Sequence, residues 1–355
     1  MTNTAAPSYK EQLKSKENLF LSKIKPSLNS FSIHQSLPEG YRTRIEFGLN
    51  KFDGKLGFSM VQNRKKIEIT EMPICHPRIN ELMKKTIIHF NQNIGFSKKL
   101  FQVEFQVTQQ GESMISLIYH RYLDEEWEEE ASLLSASIES SVVGRSHKQC
   151  LIKGLNYVTE RYHTDTLKYD LRLYEQCFSQ TNPGICNHML NWVEQNTLND
   201  GDLLELHCGL GTFTILFSKI FNKVLATESS RPSIKGLEQN LILNKSKNVS
   251  FARMSGQETL DALKGTREYR RLGDISLDNF NISTIFLDPP RNGLDDETLH
   301  SVNDFQQIVY ISCGFDSLVR DLEFLKKSHK VHQTALFDQF PYTEHIESGV
   351  ILRKY

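Results

Sequence analysis

Residues 281–293 read NISTIFLDPPRNG, and the fold turns on them. The run Ser283-Thr284-Ile285-Phe286-Leu287 is apolar and β-branched enough for an interior strand of a parallel sheet, which is covered on both faces. Pro289 and Pro290 stop that strand and stiffen the turn after it. Asp288 is thereby held at a strand's carboxyl end, where open α/β sheets place their ligands. A bland reading stands beside this one: a strand followed by a loop, with Asp288 as a helix N-cap.

The segments around this stretch alternate. The pattern predicts strands at 203–207, 224–228, 249–254, 284–288 and 308–313, and helices at 187–196, 213–221, 233–243 and 318–326. Two last strands, 330–337 and 348–353, have no helical crossover between them and should pair antiparallel. The succession predicts a doubly wound, Rossmann-like α/β domain over residues 166–355.

The first strand of that domain runs into LLELHCGLGTFT, residues 203–214. Gly209 and Gly211 let the backbone approach a ligand, and the helix that follows offers free N–H groups. The third glycine of the dinucleotide fingerprint is missing, which argues against NAD or FAD. Glu228 ends the next strand, where a carboxylate can accept hydrogen bonds from both ribose hydroxyls. Glu205, Gly209, Gly211 and Glu228 together resemble the S-adenosylmethionine site of class I methyltransferases, and Asp288 would close that pocket.

Cys313 ends the strand beside the Asp288 loop, in VYISCG. A free cysteine is most often a small buried hydrophobe. Here adjacent parallel strands would bring it to the edge that carries Asp288, and a following helix N-terminus could lower its thiol pKa. Next to a methyl donor, a thiolate has a specific use. Carbon 5 of uracil is a poor nucleophile until a thiolate adds to carbon 6, and a base must afterwards remove the carbon 5 proton. The segment FDQFPYTEHIESGV, residues 337–350, offers Glu344, His345 and Glu347, and residue chemistry alone leaves the choice open.

The N-terminal part differs in composition. Residues 1–100 carry 17 Lys and Arg against 8 Asp and Glu, leaving 25 against 35 for the remainder, within a net charge of −1. A basic first part suggests a phosphate-rich partner. Its pattern predicts a lysine-rich amphipathic helix at 9–27, a strand in YRTRIEFGL with Arg42 and Arg44 on one face, a hairpin at Asp53-Gly54 and a basic turn in QNRKK. A helix at 82–93, strands at 101–107 and 114–119, and an acidic helix at 124–140 complete an α+β domain, mainly antiparallel, over residues 1–165. The six cysteines lie far apart without a C-x-x-C pair, against a zinc ribbon, an iron–sulfur cluster or a disulfide framework. No apolar run approaches a membrane span and the N-terminus lacks a signal core, so a cytoplasmic protein with no membrane partner is expected.

LLELHCGLGTF, VLATESSRPS, IFLDPPRNGLD, YISCGFDSL and ALFDQFPYTEHIESGVIL resemble the tRNA (uracil-5-)-methyltransferases, the TrmA family. YRTRIEFGL, LIYHRYLDEEW and CFSQTNPGICNHML are similar to that family's N-terminal and linker pieces, so the likeness covers nearly the whole chain. The resemblance implies that Cys313 is the nucleophile and selects Glu347 as the proton acceptor. It implies donor contacts from Gln180, His207, Thr212, Glu228 and Asp288, with S-adenosylmethionine as cofactor and no metal. His207 stands where the family usually has tyrosine, Thr212 where it usually has asparagine, and Gly314-Phe315-Asp316 where Asn-Pro-Glu is familiar. The implied substrate is the T-loop uridine of the tRNA T-arm, with a T-loop-like site in tmRNA beside it and no obligate protein partner. The N-terminal domain would bind the RNA, with Tyr41, Phe47 and Phe105 as candidate stacking rings, although each reads more readily as a core residue. Relatives that methylate ribosomal RNA carry an added barrel and a four-cysteine cluster, for which this sequence has neither room nor spacing. A 23S rRNA uracil-5-methyltransferase and an RNA-binding or folding module with secondary methylation are the alternatives; only an enzyme needs Cys313 and Glu347.

Overall fold

Two sheets organise the computed structural model, which describes residues 8–25 and 30–355. In chain order the elements are α1 (Tyr9–Ile24), β1 (Phe31–His34), β2 (Arg44–Phe52), β3 (Lys55–Gln62), β4 (Lys65–Ile69), α2 (Pro77–Gln92), β5 (Leu100–Val107), β6 (Ser113–Tyr119), α3 (Glu125–Ile138), β7 (Ser141–Ser146) and β8 (Gln149–Lys153). A ribbon of β9 (Tyr157–His163) and β10 (Lys168–Tyr174) follows, then α4 (Pro183–Asn196), β11 (Asp202–Leu206), α5 (Thr212–Ile220), β12 (Val224–Thr227), α6 (Arg231–Leu243) and β13 (Val249–Ala252). The chain closes with α7 (Gly256–Leu263), β14 (Ile282–Leu287), α8 (Asp296–Val302), β15 (Gln307–Ser312), α9 (Phe315–Leu325), β16 (His329–Phe337) and β17 (Glu347–Lys354).

The larger sheet has the order β1-β16-β17-β15-β14-β11-β12-β13. Strands β11 to β15 pair in parallel, with Leu206 beside Leu287 and Leu287 beside Tyr310. β15 is buried along its whole length and β14 over its last four residues, as covering on both faces requires. The final hairpin is antiparallel as expected, and β17 enters the sheet between β16 and β15. Asp288 caps no helix: α8 begins at Asp296, and Asp295 caps it by accepting from Thr298 N.

The compact units differ from a division at residue 165. One comprises residues 1–36, 162–171 and 184–355; the other comprises 37–161 and 172–183. The N-terminal helix and first strand thus belong with the C-terminal half. β1 extends the large sheet by pairing in parallel with β16, Phe31 beside Thr334. Leu13, Phe20 and Ile24 of α1 are buried in that sheet's core, each contributing about 1.5–3 kcal/mol. An amphipathic pattern says that a helix has an apolar face but not which core receives it. Lys10, Lys14, Lys16, Lys23 and Lys25, part of the N-terminal basic excess, therefore belong to the unit of the large sheet.

The second unit is built on the sheet β4-β3-β2-β5-β6-β7-β8, antiparallel except between β6 and β7. Its core joins Phe47, Phe58 and Phe105 to Trp127 of α3 and Ile79 of α2. Gly144 of β7 lies so close to the Trp127 ring that a Cβ there would meet it at 2.2 Å. The basic turn is confined to Asn63 and Arg64, both at positive φ, and Lys65 already starts β4.

Candidate active site

The large sheet collects reactive groups at one end. Asp288 is the first residue after β14 and Cys313 the first after β15, and these two strands run parallel. Glu347 opens β17, which runs antiparallel to β15 with Ser348 opposite Ser312. The end of one strand therefore faces the beginning of the other, and Cys313 and Glu347 meet across the ladder. Glu344 and His345 lie in the preceding loop, both exposed, whereas Glu347 is 4 % exposed.

Burial and like charge govern the protonation of this cluster. Burial first and Asp288 next push the Glu347 carboxyl up to about 8, against Arg291, which lowers it. Burial alone pushes Asp288 up to about 7. The Cys313 thiol rises to about 11 through burial, then through Glu347 and Asp288, with Arg291 pulling the other way. The expected lowering by the α9 N-terminus is outweighed: desolvation and two carboxyls exceed what a helix end supplies.

A cavity of about 810 Å³ opens onto Cys313. Arg291, Gly314 and Ser317 line one side, Thr343 to Ile346 another, and Gln12 and Lys16 of α1 a third. Gly314 explains part of the unusual sequence after the cysteine. A Cβ there would meet the Arg291 carbonyl oxygen at 2.1 Å, and Ser317 Oγ donates to that same oxygen at 2.8 Å. The Asp288 loop and the Cys313 loop are stitched together at this point. Phe315 packs its ring 5.7 Å from Phe20 of α1.

The donor corner lies at the carboxyl ends of β11 and β12. β11 ends at Leu206, and His207 then takes φ +60, followed by Gly209 at +56 and Gly211 at +93. Such backbone is rare for a residue with a Cβ and accumulates at functional turns. At Gly211 a Cβ would meet Leu237 Cδ1 at 2.6 Å, and this glycine caps α5, leaving the helix N–H groups without a side-chain cap. Glu228 Oε2 accepts from Gly209 N, 19 residues earlier, at 3.2 Å, and its Oε1 accepts from Ser230 N at 2.8 Å. The carboxylate is thus aimed by backbone on both sides. Burial lowers the His207 imidazole below its usual range, so its half-buried ring is neutral. Thr212 starts α5, and its carbonyl accepts from Tyr169 OH at 2.5 Å. Glu205 is buried and its carboxyl stands at about 8: burial raises it most, the Thr214 hydroxyl works the other way, and Asp288 and Glu228 raise it in turn. A buried carboxyl behind the turn, an aimed carboxylate and a glycine turn fit a polar, cationic nucleoside. Gln180 lies in the other unit, half-buried between Ser179 and Thr181; its place among the donor contacts rests on the resemblance.

In the second unit Tyr41, Phe47 and Phe105 are buried and belong to the core. Arg44 is committed internally, to Glu104 at 2.8 Å and to the carbonyls of Cys177 and Glu175. An exposed aromatic pair was not anticipated from the sequence. Phe101 and His120, on neighbouring β5 and the end of β6, stack with centroids 4.0 Å apart. His120 N donates to the Lys99 carbonyl at 2.9 Å, and Arg121 Nε donates to that of Lys98 at 3.1 Å. The stack falls where the β5–β6 register shifts, so strand alternation could not have shown that these two rings meet.

Fold and site define a class I S-adenosylmethionine-dependent methyltransferase. The sequence matches the family described as tRNA (Uracil-5-)-methyltransferase over residues 8–355. A tRNA/tmRNA (uracil-C(5))-methyltransferase of Saccharophagus degradans is 43% identical over 357 residues, covering 98% of this chain and 97% of the relative. One of Nitratiruptor is 40% identical over 349 residues, covering 98% and 95%. The crystal structure of Pyrococcus abyssi tRNA (uracil-54, C5)-methyltransferase with S-adenosyl-L-homocysteine shares the fold, with a TM-score of 0.74 at 19% identity, covering 97% of this chain and 83% of that one. The chain belongs to the tRNA (uracil-5-)-methyltransferase family.

Proposed function

We propose that this protein methylates carbon 5 of the T-loop uridine of tRNA, position 54 by analogy with the relative so described, and a T-loop-like uridine of tmRNA. The observation that carries the reading is the meeting of Cys313 and Glu347 across β15 and β17, beside Asp288 and a cavity. A carbon acceptor needs both groups, whereas a nitrogen or oxygen acceptor needs neither.

S-adenosylmethionine would supply an electrophilic methyl group on a sulfonium, and His207, Thr212, Glu228 and Asp288 would hold it. Cys313 Sγ, having lost its proton to solvent, adds to carbon 6 of the uracil, and the displaced electron pair makes an enolate at carbon 5. Carbon 5 takes the methyl group. The Glu347 carboxylate then removes the carbon 5 proton, the carbon 5–carbon 6 double bond re-forms, and the Cys313 thiolate is expelled. One proton is released per turnover. The uridine leaves its stack to reach Cys313. The second unit meets the RNA through lysines and arginines on phosphate and through the Phe101–His120 pair on displaced bases. The enzyme works in the cytoplasm with its RNA.

Incubation with labelled donor and separate tRNA and 23S rRNA transcripts, followed by mapping of the modified nucleotide, tests this. Label in the T-loop uridine is expected; label in rRNA alone contradicts it.

A further inference from the structure

Glu347 enters β17 from the loop 338–346, which begins where β16 ends, with Phe337 paired to Glu347. The loop takes Tyr342 at φ +62, a conformation that a residue with a Cβ holds only under outside support. That support comes from α1, more than three hundred residues away in the chain. Lys16 Nζ is 2.7 Å from Asp338 Oδ1, with side chains 4 % and 0 % exposed, and also donates to the Phe340 carbonyl at 3.0 Å. Gln12 Nε2 donates to the Thr343 carbonyl, and the Tyr9 ring lies 5.8 Å from that of Tyr342. The same helix stacks Phe20 on Phe315, two residues after Cys313. One element thus grips both the loop that delivers the base and the turn that follows the nucleophile.

A buried ion pair is a poor source of stability, because the desolvation of both charges offsets their attraction. What it supplies is direction: Lys16 meets a carboxylate and a carbonyl of the same loop at fixed distances. We propose that α1 is a strap for the base-bearing hairpin, and that Lys16, with Asp338 as its anchor, is a positioning residue for proton abstraction by Glu347. This rests on the reading of Glu347 as the base. Loosening the strap leaves donor binding and thiolate addition in place and misplaces the carboxylate. A displacement near 1 Å lowers a rate by on the order of a hundredfold.

The test is single-turnover reaction of the full chain with T-arm RNA and labelled donor, following covalent protein–RNA adduct and released 5-methyluridine separately. Lys16→Met combined with Asp338→Leu removes the pair without leaving a buried unpaired charge. It should bind donor as wild type does, yet resolve the adduct roughly tenfold to a hundredfold more slowly, so that adduct accumulates as in Glu347→Gln. Gln12→Ala leaves the buried pair whole and should shift the same partition less. Lys16→Arg, which keeps the charge, should restore most of the resolution rate. Resolution at the wild-type rate in the double variant and in Gln12→Ala overturns the proposal. So does an equal slowing of adduct formation and resolution, the mark of a merely structural role. Wild-type protein that forms no 5-methyluridine would instead refute the function, and a Glu347→Gln protein that traps no adduct would refute the base.

Discussion

Two carboxyls and a thiol at the end of the large sheet titrate against one another, and their shifted protonation is the part of the site most open to measurement. Below about pH 8 Glu347 is protonated in the free protein and cannot accept the carbon 5 proton. The rate of adduct resolution should therefore rise with pH through about 8, and a flat profile between 6 and 9 would count against Glu347. Folding carries the opposite sign. The raised carboxyls hold protons in the folded state that the unfolded chain has already lost, so donor-free protein should melt at lower temperature as pH rises from about 5 to about 8. A cationic donor favours the ionised form of Asp288 and should drive protons out. Calorimetric titrations at pH 7 in buffers of different ionisation heat should show that release, and Asp288→Ala should weaken binding and diminish it. Identical heats in all buffers would remove Asp288 from the donor pocket. The Asp288, Glu228 and Cys313 positions are legible in the sequence because each follows a short apolar strand. Their protonation is not, since burial and mutual approach belong to the folded state.

At the level of elements, the strand–helix alternation of the C-terminal half is written in apolar runs punctuated by Gly209, Gly211 and the prolines after Asp288, and the sheet follows it. α1 and β1 are another matter. The pattern names the helix but not the four-residue strand after it, and nothing local specifies β16 as the partner of β1, a pairing across three hundred residues. Gly314 shows the same limit at one loop: only the folded chain brings the Arg291 carbonyl against it. Gly314→Ala should displace that contact, lowering stability by about 1–3 kcal/mol in a thermal or urea melt and turnover with it. Unchanged stability and turnover would mean that the two loops can separate without consequence.

For the molecule as a whole, the basic character of the first hundred residues is legible, while its distribution is not, because α1 carries four lysines, and Lys25 at its end a fifth, into the unit of the large sheet. Among the described residues no helix is long and apolar enough to cross a membrane. RNA affinity should fall linearly in log–log coordinates with salt. Phe101→Ala and His120→Ala should each weaken T-arm binding by about 1–3 kcal/mol while leaving donor affinity unchanged. Wild-type RNA affinity in both variants would move the interface elsewhere. The covalent mechanism itself is tested most directly by mass spectrometry of Glu347→Gln protein after reaction with tRNA and donor. The account predicts a methylated uridine attached to the peptide containing Cys313, lost when Cys313→Ala is added. Release of 5-methyluridine at the wild-type rate, with no adduct on that peptide, would contradict it.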